Sequence, residues 1–505
     1  MNHPLLAREG TKMLLLGNEA IARGALEAGV NIVTCYPGTP SSEVPDTFHS
    51  LGDCGRFYLE YSVNEKVALE VAGGAALAGA MALVTMKHVG VNVAADPLLT
   101  MTYTGLPGGL VLLSADDPGC HSSQNEQDNR YYARFAGMPC FEPATAQEAK
   151  DMTKAALLLA RKVQQPVLLR TTTRVSHLRG PVEFGPLPEP AATVPFERNL
   201  RRFVPVPAVA RARHHVLAAN MKTLRREVEI SPYNRITGSG PVGVIASGIS
   251  RAFVHDVILA NNWQDKVSLF DFGMTWPLPE RKLEDFMRSV KILLVLEEGE
   301  PLVEQALQAL AHNLSLSVDI RGKTEDAHGP LSIFGEYSPL IVHDALAPLV
   351  DKNVPLTCGA NCLELPQRPP NLCAGCAHRS VFYAVRKLFG SEAHYSSDIG
   401  CYTLGLLPPL SCADFLFCMG SSISAGSGFA RVSDKPVVAF IGDSTFFHSG
   451  MTGLVNAVFN KHNLLLVILD NGTTAMTGHQ PNPGVQQEIL GNKCVHMDIE
   501  QVVKG

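Results

Sequence analysis

The stretch Val437–Gly478, VVAFIGDSTFFHSGMTGLVNAVFNKHNLLLVILDNGTTAMTG, reads as strand, turn, helix, strand, turn. Two short apolar runs, Pro436–Ile441 and Leu464–Leu469, each end on a polar turn, with a helix-length segment between them. A right-handed crossover places the carboxyl ends of two such strands on the same edge of a parallel sheet. Gly442-Asp443-Ser444 closes the first strand and Asp470-Asn471-Gly472 closes the second. The 28-residue spacing from Asp443 to Asn471 fits one helix and two strands, so both side chains can converge on one hard cation. Mg²⁺ prefers a few protein oxygens together with phosphate oxygens, so the arrangement suits a metal-bound diphosphate. An Asp after a strand also serves simply to cap the next helix. The Asp-Asn turn one crossover later is what favours the metal reading.

The same alternation of short strand runs and helical stretches extends in both directions, the pattern of doubly wound α/β layers. Val30–Tyr36, Met81–Met86 and Gly109–Ser114 read as strands near the start, with a small-residue helix over Asn64–Gly79. Pro241–Ser247 and Lys291–Leu296 read as buried strands in the middle. Two linkers, the Pro-rich Gly185–Pro195 and Val354–Pro370, divide the chain into domains at 1–185, 196–353 and 368–505. A chain of 505 residues is too long for one core. The uncharged run Val71–Met86 is short for a membrane span and reads as a buried helix.

Composition narrows the partners. With 42 Lys and Arg against 48 Asp and Glu, the net charge of −6 argues against nucleic acid or an anionic membrane as the main partner. The N-terminus lacks a secretory pattern, which points to the cytoplasm. Eight of the 12 Cys fall between Cys358 and Cys494, and an intracellular protein does not usually keep disulfides, so the excess suggests thiolate ligands or redox chemistry. Buried inert thiols account for the others. Cys373-Ala374-Gly375-Cys376 on its own suits zinc, a redox dithiol or an iron–sulfur cluster, although zinc usually wants a second close pair.

The Gly-Asp-x segment at Gly442, followed by the Asn471 turn, resembles the thiamine diphosphate motif, with Ser444 where Gly is usual. The resemblance implies that Asp443, the Asn471 side chain and the Thr473 carbonyl hold Mg²⁺. It also suggests that the Gly420-Ser421 helix start contributes amides to the cofactor. Thiamine chemistry needs a desolvated carboxyl beside the aminopyrimidine. Ser62-Val63-Asn64-Glu65-Lys66-Val67-Ala68 is similar to the segment that carries it, making Glu65 the expected activating acid, with Glu60 and Glu70 as alternatives. A helix-start carboxylate interacting with the macrodipole is the plainer reading of Glu65.

Along its whole length the chain resembles indolepyruvate ferredoxin oxidoreductase alpha subunits, thiamine-dependent 2-oxoacid oxidoreductases. The matching segments are Tyr36–Val44, Asn64–Ala78, Val84–Gly90, Asn92–Leu98, Cys373–His378, Asp398–Gly405 and Gly442–Gly478. The resemblance implies a pyrimidine-binding and a diphosphate-binding thiamine domain flanking a transketolase C-terminal-like α/β domain. The implied reaction converts an aryl 2-oxo acid and coenzyme A to the aryl-acetyl thioester and carbon dioxide, with electrons passing to ferredoxin. Cys373, Cys376 and Cys401 are the implied ligands of a [4Fe–4S] cluster; the fourth is either Cys494 or beyond Gly505. A ferredoxin-like cysteine tail, usual in the family, is absent from these residues, so the third domain is expected to be truncated. A small beta subunit and a homodimeric core in an α2β2 assembly are also implied, with the site forming between domains. Thr39 is expected to touch the substrate carbonyl or carboxylate. Lys87 and His88 are placed near pyrimidine or substrate, Arg174 is a carboxylate-anchor candidate, and Asp116–Asp128 is a candidate lid. A non-redox 2-oxoacid decarboxylase or acetohydroxyacid synthase would share Glu65 and Asp443 but has no use for the three cysteines. Phenylglyoxylate is an alternative substrate, and a non-catalytic subunit or assembly protein that keeps the fold is a further alternative.

Overall fold

A computed structural model describes residues 3–324, 331–350, 366 and 368–505. Most of the linker expected over 354–370, with Cys358 and Cys362, lies outside the described residues. The chain forms two compact units, residues 1–59 with 65–358 and residues 60–64 with 359–505. Both are α/β.

The first unit is built on a seven-stranded sheet. Its order is Met274–Trp276, Cys140–Phe141, Pro166–Thr172, Leu110–Asp116, Ala82–Lys87, Ile32–Cys35, Tyr58–Tyr61. Ile32–Cys35, Ala82–Lys87, Leu110–Asp116, Pro166–Thr172 and Cys140–Phe141 pair in parallel. Ala82–Lys87, Leu110–Asp116 and Pro166–Thr172 are buried at every position. That is why Met81–Met86 and Gly109–Ser114 read in the sequence as short apolar runs: parallel sheets are covered on both faces. The Glu65–Leu77 helix presents Ala68, Leu69, Ala72 and Ala76 to Val84, Met86 and Leu112. Strand order reverses beside the junction of Ile32–Cys35 with Ala82–Lys87, the crevice where open α/β sheets receive ligands.

The uncharged run Val71–Met86 is not one helix. The helix stops at Leu77, the chain turns at Gly79 with φ +98°, and Ala82–Lys87 is a strand. A β-carbon on Gly79 would lie 1.8 Å from the Val194 carbonyl oxygen. The Pro-rich segment is laid against this turn, Val194 N donating to Gly79 O at 3.0 Å and Ala191 N to Gly29 O at 2.8 Å.

The middle segment has its own five-stranded sheet, ordered Asp319–Arg321, Ile292–Leu296, Val242–Ser247, Val267–Phe272, Asn234–Thr237, with only the last strand antiparallel. It also lends Met274–Trp276 to the seven-stranded sheet, antiparallel to Cys140–Phe141. Arg130–Glu297 is a buried ion pair across this joint, and further buried pairs brace the first sheet beside it. Arg130 binds Glu297 at 2.6 Å and pairs with Asp128, while Arg170 binds Asp116 at 2.8 Å and Glu142 at 3.0 Å.

The second unit holds three parallel strands, His394–Ser396, Val437–Gly442 and Leu465–Leu469, in that order. Gly442 stands opposite Leu469, so the two polar turns after them share one edge. A π turn, Phe446–Gly450, joins Asp443–Thr445 to the Met451–Phe459 helix. Among the described residues no helix is long and apolar enough to cross a membrane.

Candidate functional sites on the two carboxyl edges

In the first unit, the candidates gather where Ala82–Lys87 passes into the short helix His88–Val93. Two glycines show how close the packing is. A β-carbon on Gly38 would sit 2.9 Å from Lys87 Cβ, and one on Gly90 would sit 2.5 Å from Glu65 Cγ. The Pro37-Gly38-Thr39-Pro40 turn therefore rests on the Lys87 stem, and the Glu65 carboxyl lies against the next turn of chain. Glu65 opens its helix and is 6% exposed.

Lys87 is 8% exposed. Its ammonium donates to Ser122 O at 2.7 Å and Ser122 Oγ at 3.0 Å, and stands 3.9 Å from Asp117. Ser122 Oγ in turn reaches Thr39 O at 3.3 Å. Burial pushes the Lys87 ammonium down to about 8, against the opposing pull of Asp117. Burial alone would raise the Asp117 carboxyl, but hydrogen bonds from Ser123, Thr173 and the Ser122 amide, with Lys87 nearby, hold it below the usual range. The 116–128 loop thus lies over Lys87 and the Thr39 turn. His88 is fully buried, its Nε2 3.3 Å from Asn125 O and its Nδ1 without a hydrogen-bond partner. Burial lowers its pKa, favouring neutral imidazole. Arg174 does not join this group; its guanidinium is half-exposed and paired with Glu336 at 2.7 Å. The sequence reading passed over Ser122, Gly38 and Gly90. The signal for the last was a lone Gly inside a helix-length run, which marks a close approach.

In the second unit, Asp443 follows its strand directly and is 2% exposed. Burial raises its pKa, the Asn482 amide donating at 2.9 Å works against that, and the Asp470 carboxylate adds to the rise. Asn471 is exposed, and its Oδ1 accepts the Thr473 amide at 3.2 Å in an Asx turn. Ser444 Oγ accepts from the Thr474 hydroxyl at 2.9 Å. Asp443, Ser444 and the 470–482 turn are therefore brought together as the crossover demands. Asn482 was missed, because an amide eleven residues past Asn471 carries no spacing signal.

The Gly420-Ser421 helix start is arranged differently from expectation. The amides of Gly420 and Ser422 donate to the buried Asp398 carboxylate at 2.7 and 2.8 Å, and the Ser421 amide to Cys418 O at 3.0 Å. Each of these donors has a partner within the protein. Asp398, quoted earlier only within a matching segment, is what organises this helix start.

Cys376 N donates to Cys373 O at 3.2 Å. The Cys401 thiol is pushed up by burial and then by Cys373 and Cys376, so the three share one electrostatic neighbourhood. Among the described residues, however, no three His, Cys, Asp or Glu side chains close on a single point. Cys494 is exposed, its Sγ 3.6 Å from Val485 O. Cys35, Cys140 and Cys412 are buried thiols of the inert kind.

These geometries can be set beside known proteins. Residues 23–225 match the pyruvate flavodoxin/ferredoxin oxidoreductase thiamine diphosphate-binding family, and residues 398–505 match the C-terminal binding domain of thiamine pyrophosphate enzymes. The indolepyruvate oxidoreductase subunit IorA of Methanothermobacter thermautotrophicus is 44% identical over 99% of this chain and 82% of its own length. The subunit of the same name from Archaeoglobus fulgidus is 42% identical over 100% of this chain and 82% of its own. A solved 2-oxoglutarate:ferredoxin oxidoreductase from Magnetococcus marinus shares the fold, with a TM-score of 0.55, 16% identity, and coverage of 67% of this chain and 65% of that one. Identity at that level over nearly every residue, together with thiamine diphosphate-binding domains at both ends, makes the chain a member of the indolepyruvate oxidoreductase IorA family.

Proposed function

We propose that the chain is the thiamine diphosphate-binding catalytic subunit of an oxidoreductase that decarboxylates indolepyruvate, transfers the aryl-acetyl group to coenzyme A and delivers the electrons to ferredoxin. The full-length identity to IorA carries this reading. A small beta subunit and an α2β2 assembly belong to the same proposal, as do the domain limits 1–185, 196–353 and 368–505.

The residues present fit the groups this reaction needs. Asp443 is a buried carboxylate whose neighbours are an amide donor and a second carboxylate, a combination that a divalent cation relieves. Asp443, Asn471 and the Thr473 carbonyl would hold Mg²⁺, with the Gly442-Asp443-Ser444 turn against the diphosphate. Cys373, Cys376 and Cys401 offer three soft ligands whose thiolates repel one another, the electrostatics that a [4Fe–4S] cluster neutralises. When bound, thiamine diphosphate supplies the electron sink for decarboxylation and the cluster accepts single electrons. Glu65 holds a proton at the aminopyrimidine, in a buried position packed against Gly90. Thr39 and Lys87 orient the oxo acid, Lys87 pairing its ammonium with the substrate carboxylate when the 116–128 loop yields it.

The test is anaerobic purification of the chain with its small partner subunit, followed by a panel of 2-oxo acids with coenzyme A and a dye acceptor. Expected are a brown, oxygen-bleached protein and preferential turnover of indolepyruvate. Full turnover by colourless, iron-free protein would refute the electron-transfer half. Preference for phenylglyoxylate would move the substrate assignment.

A further inference from the structure

We infer that Tyr402 is a positioning residue that couples the cysteine loop to the diphosphate turn, so that each site responds to the occupancy of the other. The inference rests on the proposed cluster and diphosphate sites. Tyr402 follows Cys401 directly, and is 5% exposed. Its ring fills a slot between two glycines: a β-carbon on Gly400 or on Gly442 would each meet Tyr402 Cε1 at 2.5 Å. Gly442 is the residue before Asp443. The Tyr402 hydroxyl donates to Ile399 O at 2.7 Å and shares a 2.7 Å hydrogen bond with the Thr445 hydroxyl, two residues past Asp443. Thr445 Oγ itself reaches Ile399 O at 3.2 Å. The His378 ring, two residues past Cys376, stands edge-on to Tyr402 at 6.4 Å between centroids.

One buried side chain therefore touches the segments that carry Cys376, Cys401 and Asp443. A shift of the turn that would hold the cation is passed to the ring through the Thr445–Tyr402–Ile399 hydrogen bonds. Displacing the ring displaces Cys401 through one peptide unit. Linkage is reciprocal, so a loaded cysteine site must raise affinity at the diphosphate turn by the same factor that diphosphate raises cluster retention.

The experiment uses the full chain with its partner subunit, prepared anaerobically with the cluster loaded or stripped. Affinity for thiamine diphosphate with Mg²⁺ is titrated in both states, and the reduced cluster is followed by electron paramagnetic resonance as the cofactor is added. In wild type, loading the cluster is expected to tighten cofactor binding by about 5- to 100-fold and the cofactor to change the cluster signal. In Tyr402→Phe both groups should still bind, with the affinity ratio reduced to within about twofold and the signal unresponsive. Thr445→Val, which removes the other end of the same hydrogen bond and leaves the ring in its slot, should behave alike and serves if the Tyr402 variant does not fold. A wild-type ratio near one, or full coupling in both variants, would overturn the inference while leaving the proposed function intact. A wild type that takes up no cluster would instead overturn the cysteine assignment, and the inference with it.

Discussion

The two units present the same kind of edge, the carboxyl ends of parallel strands, and equip it in opposite ways. Along the seven-stranded sheet the buried charges are matched by protein: Asp116 with Arg170, Arg130 with Asp128 and Glu297, Lys87 with Ser122 and Asp117. Along the three-stranded sheet Asp443 is just as buried, but its company is an amide and a second carboxylate. Withdrawing an ion from water costs several kcal/mol, on the order of what only an opposite charge recovers. The first edge meets that cost with its own charges and hydrogen bonds. On the second, Asp398 is held by the Gly420 and Ser422 amides, while Asp443 keeps a carboxylate neighbour. In the proposed function, activation and substrate orientation would fall to the first unit, and cation and cluster binding to the second.

The comparison breaks most sharply at Glu65. Replacing a positioned proton donor typically lowers rate by about 10²- to 10⁴-fold. Glu65→Gln should do so in kcat for indolepyruvate, with thiamine diphosphate content unchanged; kcat within tenfold of wild type would remove Glu65 from the mechanism. Gly90→Ala sharpens the point without touching the carboxyl. Its methyl would arrive 2.5 Å from Glu65 Cγ, so the acid must move, and an intermediate loss of kcat is expected.

Asp443 should respond in affinity first. Asp443→Asn is expected to weaken Mg²⁺-dependent thiamine diphosphate binding by at least about 100-fold. Asn482→Ala, which removes only the donor to that carboxylate, should weaken it by about 10-fold, the usual scale for groups that orient a metal ligand. Both are read by cofactor titration. Equal affinities in Asp443→Asn and wild type would place the cation elsewhere.

What the sequence made legible follows the same division. The strands at 82–87, 110–116, 242–247, 292–296 and 437–442 announce themselves, because a strand buried on both faces must be apolar throughout. The crossover from Asp443 to Asn471 was legible because its length is set by one helix. The contacts that finish each site were not. Asn482 on Asp443, Asp398 on the Gly420 helix start, Gly90 on Glu65 and Tyr402 on Gly442 are each made between residues far apart in the chain, with no period to reveal them. The 71–86 run misled for a related reason. A small-residue helix and a fully buried strand are equally uncharged, and only the turn at Gly79 separates them.

Lys87 tests whether the first edge is as internally matched as it looks. In the folded chain the group's pKa of about 8 lies below the ordinary lysine value of 10.5. Between those values the unfolded chain binds more protons than the native one. This residue's contribution to stability therefore increases with pH across that window and is lowest below it, where the charge is buried in full. Lys87→Met should flatten that part of the pH–stability curve measured by denaturant unfolding. Activity has the opposite slope. A substrate carboxylate needs the ammonium form, so kcat/KM for indolepyruvate should decline above about pH 8 in wild type. In Lys87→Met that limb should vanish while KM rises by about 10- to 100-fold, the loss expected for one hydrogen bond to a charged group. Were the limb to persist in the variant, another group would be titrating, and Lys87 would be a structural cation holding the 116–128 loop through Ser122.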